Sequence, residues 1–169
     1  MDLRPLDSVD ARAIESLLDA AFGTDRMTRA AYRIRAGLTP LPIWSAVMTD
    51  GGVMVGSIQC FAVALHRDAD SGGGAQPLIM VGPIAVDPAR QNEGIGRAML
   101  RAMLARIDAV ADAPPQVLIG DAPYYEPFGF SGEATRGWRV PGTWDPARLL
   151  ARGWSEGRDM RGLIGPPAR

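Results

Sequence analysis

Between Ser8 and Phe22 the stretch SVDARAIESLLDAAF sets its apolar residues three and four apart. That spacing predicts an amphipathic helix, with Ser8 as its N-cap and Gly23 just past its end. Residues 26–36 carry a weaker version of the same period, closed by Gly37. The pattern then shortens. IWSAVM (43–48) and VMVGSIQCFAVAL (53–65) read as strands joined across TDGG, a hairpin signal. PLIMVGPIAV (77–86) reads as a third strand, paired to the second across the glycine-rich loop at 68–77. Pro83 lies inside that strand and has no N–H to donate, so a bulge or a lost pairing is expected there.

Helical period returns at 94–111, a span of roughly 27 Å at 1.5 Å per residue. Arg97, Arg101, Asp108 and Asp112 fall in one polar stripe, with Ile95, Met99, Met103 and Val110 opposite. Arg106 falls on the apolar side and breaks the pattern; a snorkelling side chain or an ion partner would accommodate it. Beyond it, QVLIG (116–120) reads as a short buried strand and APYYEPF (122–128) as a short helix or turn. TRGWRV (135–140) reads as a strand, 146–152 as a short helix and 160–165 as a last extended piece. This order of elements predicts a mixed α/β (α+β) fold with a sheet of six or seven strands.

Composition narrows the classes. The chain has 169 residues, 47 % of them apolar and 22 % charged, which suits one globular domain over 1–169. A formal net charge of −1 supplies no global field for nucleic acid or an anionic membrane. No apolar run reaches the roughly 18 to 20 residues of a membrane span, and nothing resembles a signal peptide. The expected location is therefore the cytoplasm, with no nucleic-acid or membrane partner. Cys60 is the single cysteine, so neither a disulfide framework nor a cysteine-rich metal site is expected. All 18 basic residues are arginine, which removes a Walker A lysine, a pyridoxal Schiff base and a lysine nucleophile from consideration.

The remaining signal is VGPIAVDPARQNEGIGRAML (81–100), a strand that turns into a helix through two glycines one residue apart. Helix N-termini present unpaired N–H groups and partial positive charge to anions. Gly94 and Gly96 remove side chains where such an anion would touch the backbone, and Arg90 or Arg97 could assist. A dinucleotide fingerprint would need a third glycine where Met99 stands.

In Val86, Pro88, Gln91, Gly94 and Gly96 the stretch resembles the acetyl-CoA motif of the GNAT superfamily of N-acetyltransferases. IGDAPYYEPFGF (119–130), about 30 residues downstream, is similar to that family's next segment, in which a strand leads to a Tyr and then a Gly-Phe pair. The resemblance covers roughly residues 43–130. It implies a mainly antiparallel sheet with a splayed, V-shaped opening between the strand at 77–86 and QVLIG, and flanking helices.

The activity implied is transfer of an acetyl group from acetyl-CoA, as co-substrate and without a metal, to an amine by direct attack. A non-catalytic acyl-CoA-binding regulatory domain is the alternative. In the implied site the pyrophosphate rests on the loop and first helical turn: Gln91, Asn92, Glu93, Gly94, Ile95, Gly96, Arg97 and Ala98. The pantetheine arm pairs with Ile84, Ala85 and Val86, where an N–H of Ala85 or Val86 polarises the thioester carbonyl. Tyr125, five residues before Phe130, takes the position of the family's proton donor, with Tyr124 as a packing residue. No general base is identified. Asp121 and Glu126 flank Tyr125, Asp121 equally suiting a cap of the following helix; His66 is read as a loop residue and Cys60 as core. Neither the acceptor nor the acyl preference is fixed by these residues, and a homodimer is left open.

Overall fold

In the computed structural model, which describes residues 1–169, the chain opens with a strand that the sequence pattern does not announce. This is β1 (Asp2–Pro5), paired antiparallel along the whole of Asp2↔Thr49 to Pro5↔Ala46. It is short, polar and ends in proline, as suits an edge strand. The first helix, α1, spans Ala11–Phe22. Its cap is Asp10, whose Oδ1 accepts from Arg12 N–H at 2.8 Å. Ser8 is not the cap: it ends a 3-10 turn and its hydroxyl donates to the Pro5 carbonyl. The helix starts at Ala11, so the cap position falls on Asp10, two residues beyond Ser8. Gly23 closes α1 as expected, its N–H bonded to Asp19 C=O.

The weak helix at 26–36 divides into a 3-10 turn at Arg26–Thr28 and a short α2 (Ala30–Ile34). β2 (Ala46–Asp50) follows a 3-10 turn at Pro42–Trp44, and β3 (Val53–Arg67) pairs antiparallel with it across Gly51-Gly52. β4 runs from Ala75 to Val86 and α3 from Ile95 to Asp108. Because α3 ends at Asp108, Val110 lies beyond it and is exposed, not part of the apolar face. Arg106 is exposed as well.

β5 (Gln116–Ile119), α4 (Ala122–Tyr125) and a 3-10 turn at Glu126–Phe128 come next. Only Trp138–Arg139 of the 135–140 stretch is extended (β6), behind a 3-10 turn at Ala134–Gly137. The helix expected at 146–152 is a single 3-10 turn, Pro146–Arg148, followed by β7 (Leu149–Arg152). Four residues with two apolar neighbours fit either period, and pairing with β5 decides for the strand. β8 (Gly162–Gly165) is the last element.

The eight strands belong to one sheet, ordered β1-β2-β3-β4-β5-β7, with β8 beside β3 and β6 beside β8. β1 with β2, β2 with β3, β3 with β8 and β5 with β7 are antiparallel; β4 with β5 and β6 with β8 are parallel. The mixed, mainly antiparallel sheet is as expected, with eight strands in place of six or seven. The β4–β5 register consists of Ile79↔Gln116 and Met80↔Val117 and ends there, although β4 runs on to Val86. The ladder therefore stops just before the cis peptide Gly82-Pro83, where interruption was expected.

Two compact units are distinguished. The first holds Met1–Arg26, Pro40–Cys60 and Val81–Ala113; the second holds Met27–Thr39, Phe61–Met80 and Pro114–Arg169. In the first, α1 buries Ile14, Leu17 and Leu18 against Val47 and Ala85. These three positions are the i, i+3, i+4 stripe read from the sequence. Ile95, Met99, Leu100, Met103, Leu104 and Ile107 form the buried face of α3. In the second unit the core draws on alternate strand residues: Phe61, Val63 and Leu65; Leu78 and Met80; Leu149 and Ala151. Trp138 joins them and is closed over edge-to-face by Trp154 at 4.7 Å.

Candidate functional site

In the first unit the candidate residues follow one another around a single turn. β4 ends at Val86, and Asp87 starts a 3-10 turn at Pro88–Arg90 by accepting from Ala89 N–H at 2.9 Å. Asn92 takes φ 69° and Gly94 φ 78°, so the chain reverses twice in the left-handed region before α3 begins. A glycine at 94 accepts that conformation without the steric cost a Cβ would bring. The first helical bond is Ala98 N–H to Gly94 C=O at 2.9 Å. The amides of Gly94, Ile95 and Gly96 precede it and have no helical carbonyl to meet. Gln91, Asn92, Glu93 and Gly94 are exposed, as are Arg97 and Ala98, while Ile95 and Gly96 are buried. The result is a rim of backbone at the positive end of a 14-residue helix, exposed at 91–94 and buried at Ile95 and Gly96.

Arg90 does not extend that rim. Its Nε reaches both Glu93 carboxylate oxygens at 2.8 Å, and Nη2 reaches Asp50 Oδ2 at 3.0 Å. The guanidinium holds the Glu93 carboxyl below its usual range. Arg90 thus ties the loop to the end of β2. Asp50 had carried no signal of its own.

Ile84, Ala85 and Val86 lie at the end of β4, with Ala85 buried and its neighbours half-buried. Asp87 N–H donates to Val55 C=O at 2.9 Å, which directs residue 87 toward β3. Main-chain groups alternate sides along a strand, so Ala85 faces β3 too, and its carbonyl oxygen lies against Gly56. Val86 and Ile84 present their N–H and C=O groups to the opposite side. Of the two residues expected to offer an N–H, the alternation selects Val86.

Gly56, in mid-β3, was missed in the sequence. A Cβ there would meet Met99 Cε at 2.8 Å, Ala85 O at 3.1 Å and Ile95 Cγ2 at 3.2 Å. Its bare backbone lets the Ala85 carbonyl and the Ile95 and Met99 side chains lie close against β3. A lone glycine inside a strand is the signal that would have flagged this close approach.

Tyr125 belongs to the second unit, at the end of α4. The N–H groups of Tyr124 and Tyr125 both bond to the Asp121 carbonyl, at 3.0 and 3.2 Å. Asp121 makes no side-chain cap; its carboxylate pairs with Arg148 Nη1 at 3.2 Å. The cap read from the sequence is therefore a main-chain one. Tyr125 meets Tyr124 edge-on at 4.8 Å between centroids and Phe130 edge-on at 6.1 Å. Burial pushes the Tyr125 phenol up to about 12, Tyr124 and Asp121 add to the rise, and Arg148 opposes it. The phenol is consequently a fully protonated donor at neutral pH.

His66 lies within β3, not in a loop, and its Nε2 is 2.7 Å from the Pro166 carbonyl. Cys60 is fully buried and its thiol is pushed up to about 12 by that burial, as suits a core residue. No helix is long and apolar enough to cross a membrane.

A model of the acetyltransferase (GNAT) domain matches residues 2–132, a span that includes the loop, Gly56 and Tyr125 and stops before β7. Among solved structures, the chain is similar to the GNAT family N-acetyltransferase YhbS from Escherichia coli in complex with CoA. That likeness has 23 % identity over 98 % of this chain and 89 % of the other, with TM-score 0.69. A GNAT family acetyltransferase from Brucella melitensis in complex with acetyl-CoA is 27 % identical over 99 % and 96 % of the two chains, with TM-score 0.62. Arabidopsis thaliana Naa50, solved with a bisubstrate analogue, shares the fold at 13 % identity over 90 % and 98 %, with TM-score 0.56. No curated protein matches the sequence.

Proposed function

Because the chain belongs to the GNAT acetyltransferase family, we propose that it transfers the acetyl group of acetyl-CoA directly to an amine of a small molecule or protein. The reading rests on the turn from β4 into α3, where the amides ahead of the Ala98–Gly94 bond have no helical carbonyl and the space around Gly94 is open. It is supported by the CoA and acetyl-CoA held by the E. coli and Brucella proteins.

In this reading the pyrophosphate takes the amides of Gln91 to Arg97, and Gly94 keeps the approach clear. The pantetheine amides pair with the Ile84 and Val86 backbone, and Val86 N–H polarises the thioester carbonyl. The amine nitrogen attacks the carbonyl carbon, and the tetrahedral oxyanion returns its electrons as the C–S bond breaks. Tyr125 gives its phenolic proton to the departing thiolate and recovers one from solvent; the new amide sheds its extra proton to water. Burial disfavours both anions, phenolate and thiolate, so a leaving thiolate born in the same surroundings is itself a stronger base. The Cys60 thiol plays no part: burial leaves it in the protonated, non-nucleophilic form.

The test is release of free CoA from acetyl-CoA in the presence of a panel of amines, aminoglycosides and peptides. Acceptor-dependent release supports the transferase reading. Tight acetyl-CoA binding with no release above the rate in buffer, across the whole panel, would replace it with a binding domain.

A further inference from the structure

Gly120 follows the last residue of β5 and is buried. A Cβ at that position would lie 2.3 Å from Tyr125 Cε2, 2.9 Å from Cδ2 and 3.2 Å from Cζ. These atoms are the ring edge that leads to the hydroxyl-bearing carbon. Carbon atoms in contact sit about 3.5–4.0 Å apart, so any side chain here demands a shift of roughly 1 Å or more. A phenol ring is rigid and has no flexible end to withdraw.

The main chain around the ring is tied at both ends. Gly120 N–H donates to Arg148 C=O at 2.9 Å, and Arg148 holds the Asp121 carboxylate. At the far end Arg152 Nε donates to Phe128 C=O at 3.0 Å, while its Nη1 donates to Gln116 Oε1 at 2.7 Å. With the element fixed by β7 and the residues before it, the ring is the part that must move. Its remaining edges already meet Tyr124 and Phe130. Gly120 has no positive φ, so its backbone would accept alanine, and the three atoms nearest to a Cβ there all belong to the ring.

We propose that Gly120 is a positioning residue, whose missing side chain sets where the Tyr125 hydroxyl stands. The functional half of this inference rests on Tyr125 being the proton donor of the reaction proposed above. A misplacement of about 1 Å costs on the order of 100-fold in such a step.

The experiment uses the full chain with ring-13C-labelled tyrosine. Only Tyr32, Tyr124 and Tyr125 are present, so Tyr125→Phe assigns the Tyr125 resonances by loss. Gly120→Ala should move those resonances and leave Tyr32 in place. It should lower turnover about 100-fold without changing acetyl-CoA affinity. Gly120→Ala with Tyr125→Phe should be no slower than Tyr125→Phe alone, since both changes act through one hydroxyl. Unmoved Tyr125 resonances, or losses that multiply in the double variant, would overturn the proposal. Moved resonances with turnover intact in both Gly120→Ala and Tyr125→Phe would uphold the placement and remove the proton-donor reading instead. If Gly120→Ala folds poorly, Gly120→Ala with Tyr125→Leu makes room for the methyl group. Recovery of the melting temperature in that pair supports the steric relation, and failure to recover it overturns it.

Discussion

Arg90 reaches back from the β4–α3 loop to Asp50 at the end of β2, Nη2 to Oδ2 at 3.0 Å, while its Nε is held by Glu93. The contact joins residues 40 apart in sequence and fixes the loop on which the candidate anion site depends. Arg90→Ala should therefore raise the KM for acetyl-CoA a few-fold and leave kcat unchanged. Asp50→Asn should do the same more weakly. Exposed ion pairs are screened by salt, so the difference from wild type should shrink at high ionic strength. Steady-state kinetics at low and high salt checks this; a direct phosphate ligand would instead show a large loss at both.

Gly56 makes a second, steric prediction. Met99 Cε can swing away from a new methyl group, but the Ala85 carbonyl oxygen at 3.1 Å is backbone and the packed Ile95 limits relief. Gly56→Ala should weaken acetyl-CoA binding by pushing the end of β4 and the start of α3 away from β3, with destabilisation of about 1–3 kcal/mol as for overpacking. Calorimetric titration and a denaturant melt measure both. Adding Met99→Ala should restore only part of either loss.

These two residues mark what the sequence could and could not disclose. The turn VDPARQNEGIG was legible as a strand-to-helix turn because Pro88 and the glycines break the apolar pattern on either side, and Gly94 takes a positive φ there. α1 and α3 were legible from their apolar period, which burial enforces. Gly56 left only the weak signal of a lone glycine inside a strand, and Gly120, just past the end of β5, looks like any other glycine at a strand end. β7 was read as a helix because four residues hold too little period to choose, and its partner β5 decides. The contacts of Arg90 with Asp50 and Glu93 were not legible either, because neither carboxylate is marked by any pattern in the string.

Tyr125→Phe keeps the ring and deletes the proton. Turnover should fall about 100- to 10,000-fold, with acetyl-CoA affinity and melting temperature near wild type. Retention of more than about a tenth of the rate, with chemistry limiting, would remove Tyr125 from the mechanism. With the phenol pushed up to about 12, the donor form persists through neutral and mildly alkaline pH. The pH–rate profile should then show no alkaline fall from Tyr125 below about 10, the ordinary phenol value.

Cys60 should resist thiol reagents in the folded chain and react once it is unfolded, because burial holds its thiol up to about 12. The sign of its stability effect follows. Below about 9 both states keep the proton; from there to about 12 only the unfolded chain releases it, so stability falls across that interval. Labelling rates at pH 8 in native and denaturing buffer check the first point. Rapid native labelling would contradict the burial.

Titration of acetyl-CoA into the wild-type chain and into Gly94→Glu and Gly94→Asn tests the central claim most directly. No atom lies within 4 Å of a Cβ built at Gly94, so a side chain there acts through φ and through whatever ligand arrives, not through a clash within the protein. Asparagine tolerates the left-handed region and adds no charge, so Gly94→Asn should fold and bind acetyl-CoA with modest loss. Gly94→Glu places an anion where the pyrophosphate would rest and should abolish binding in a chain that still melts cooperatively. Wild-type affinity in folded Gly94→Glu, or no binding of acetyl-CoA to the wild type, would contradict the account.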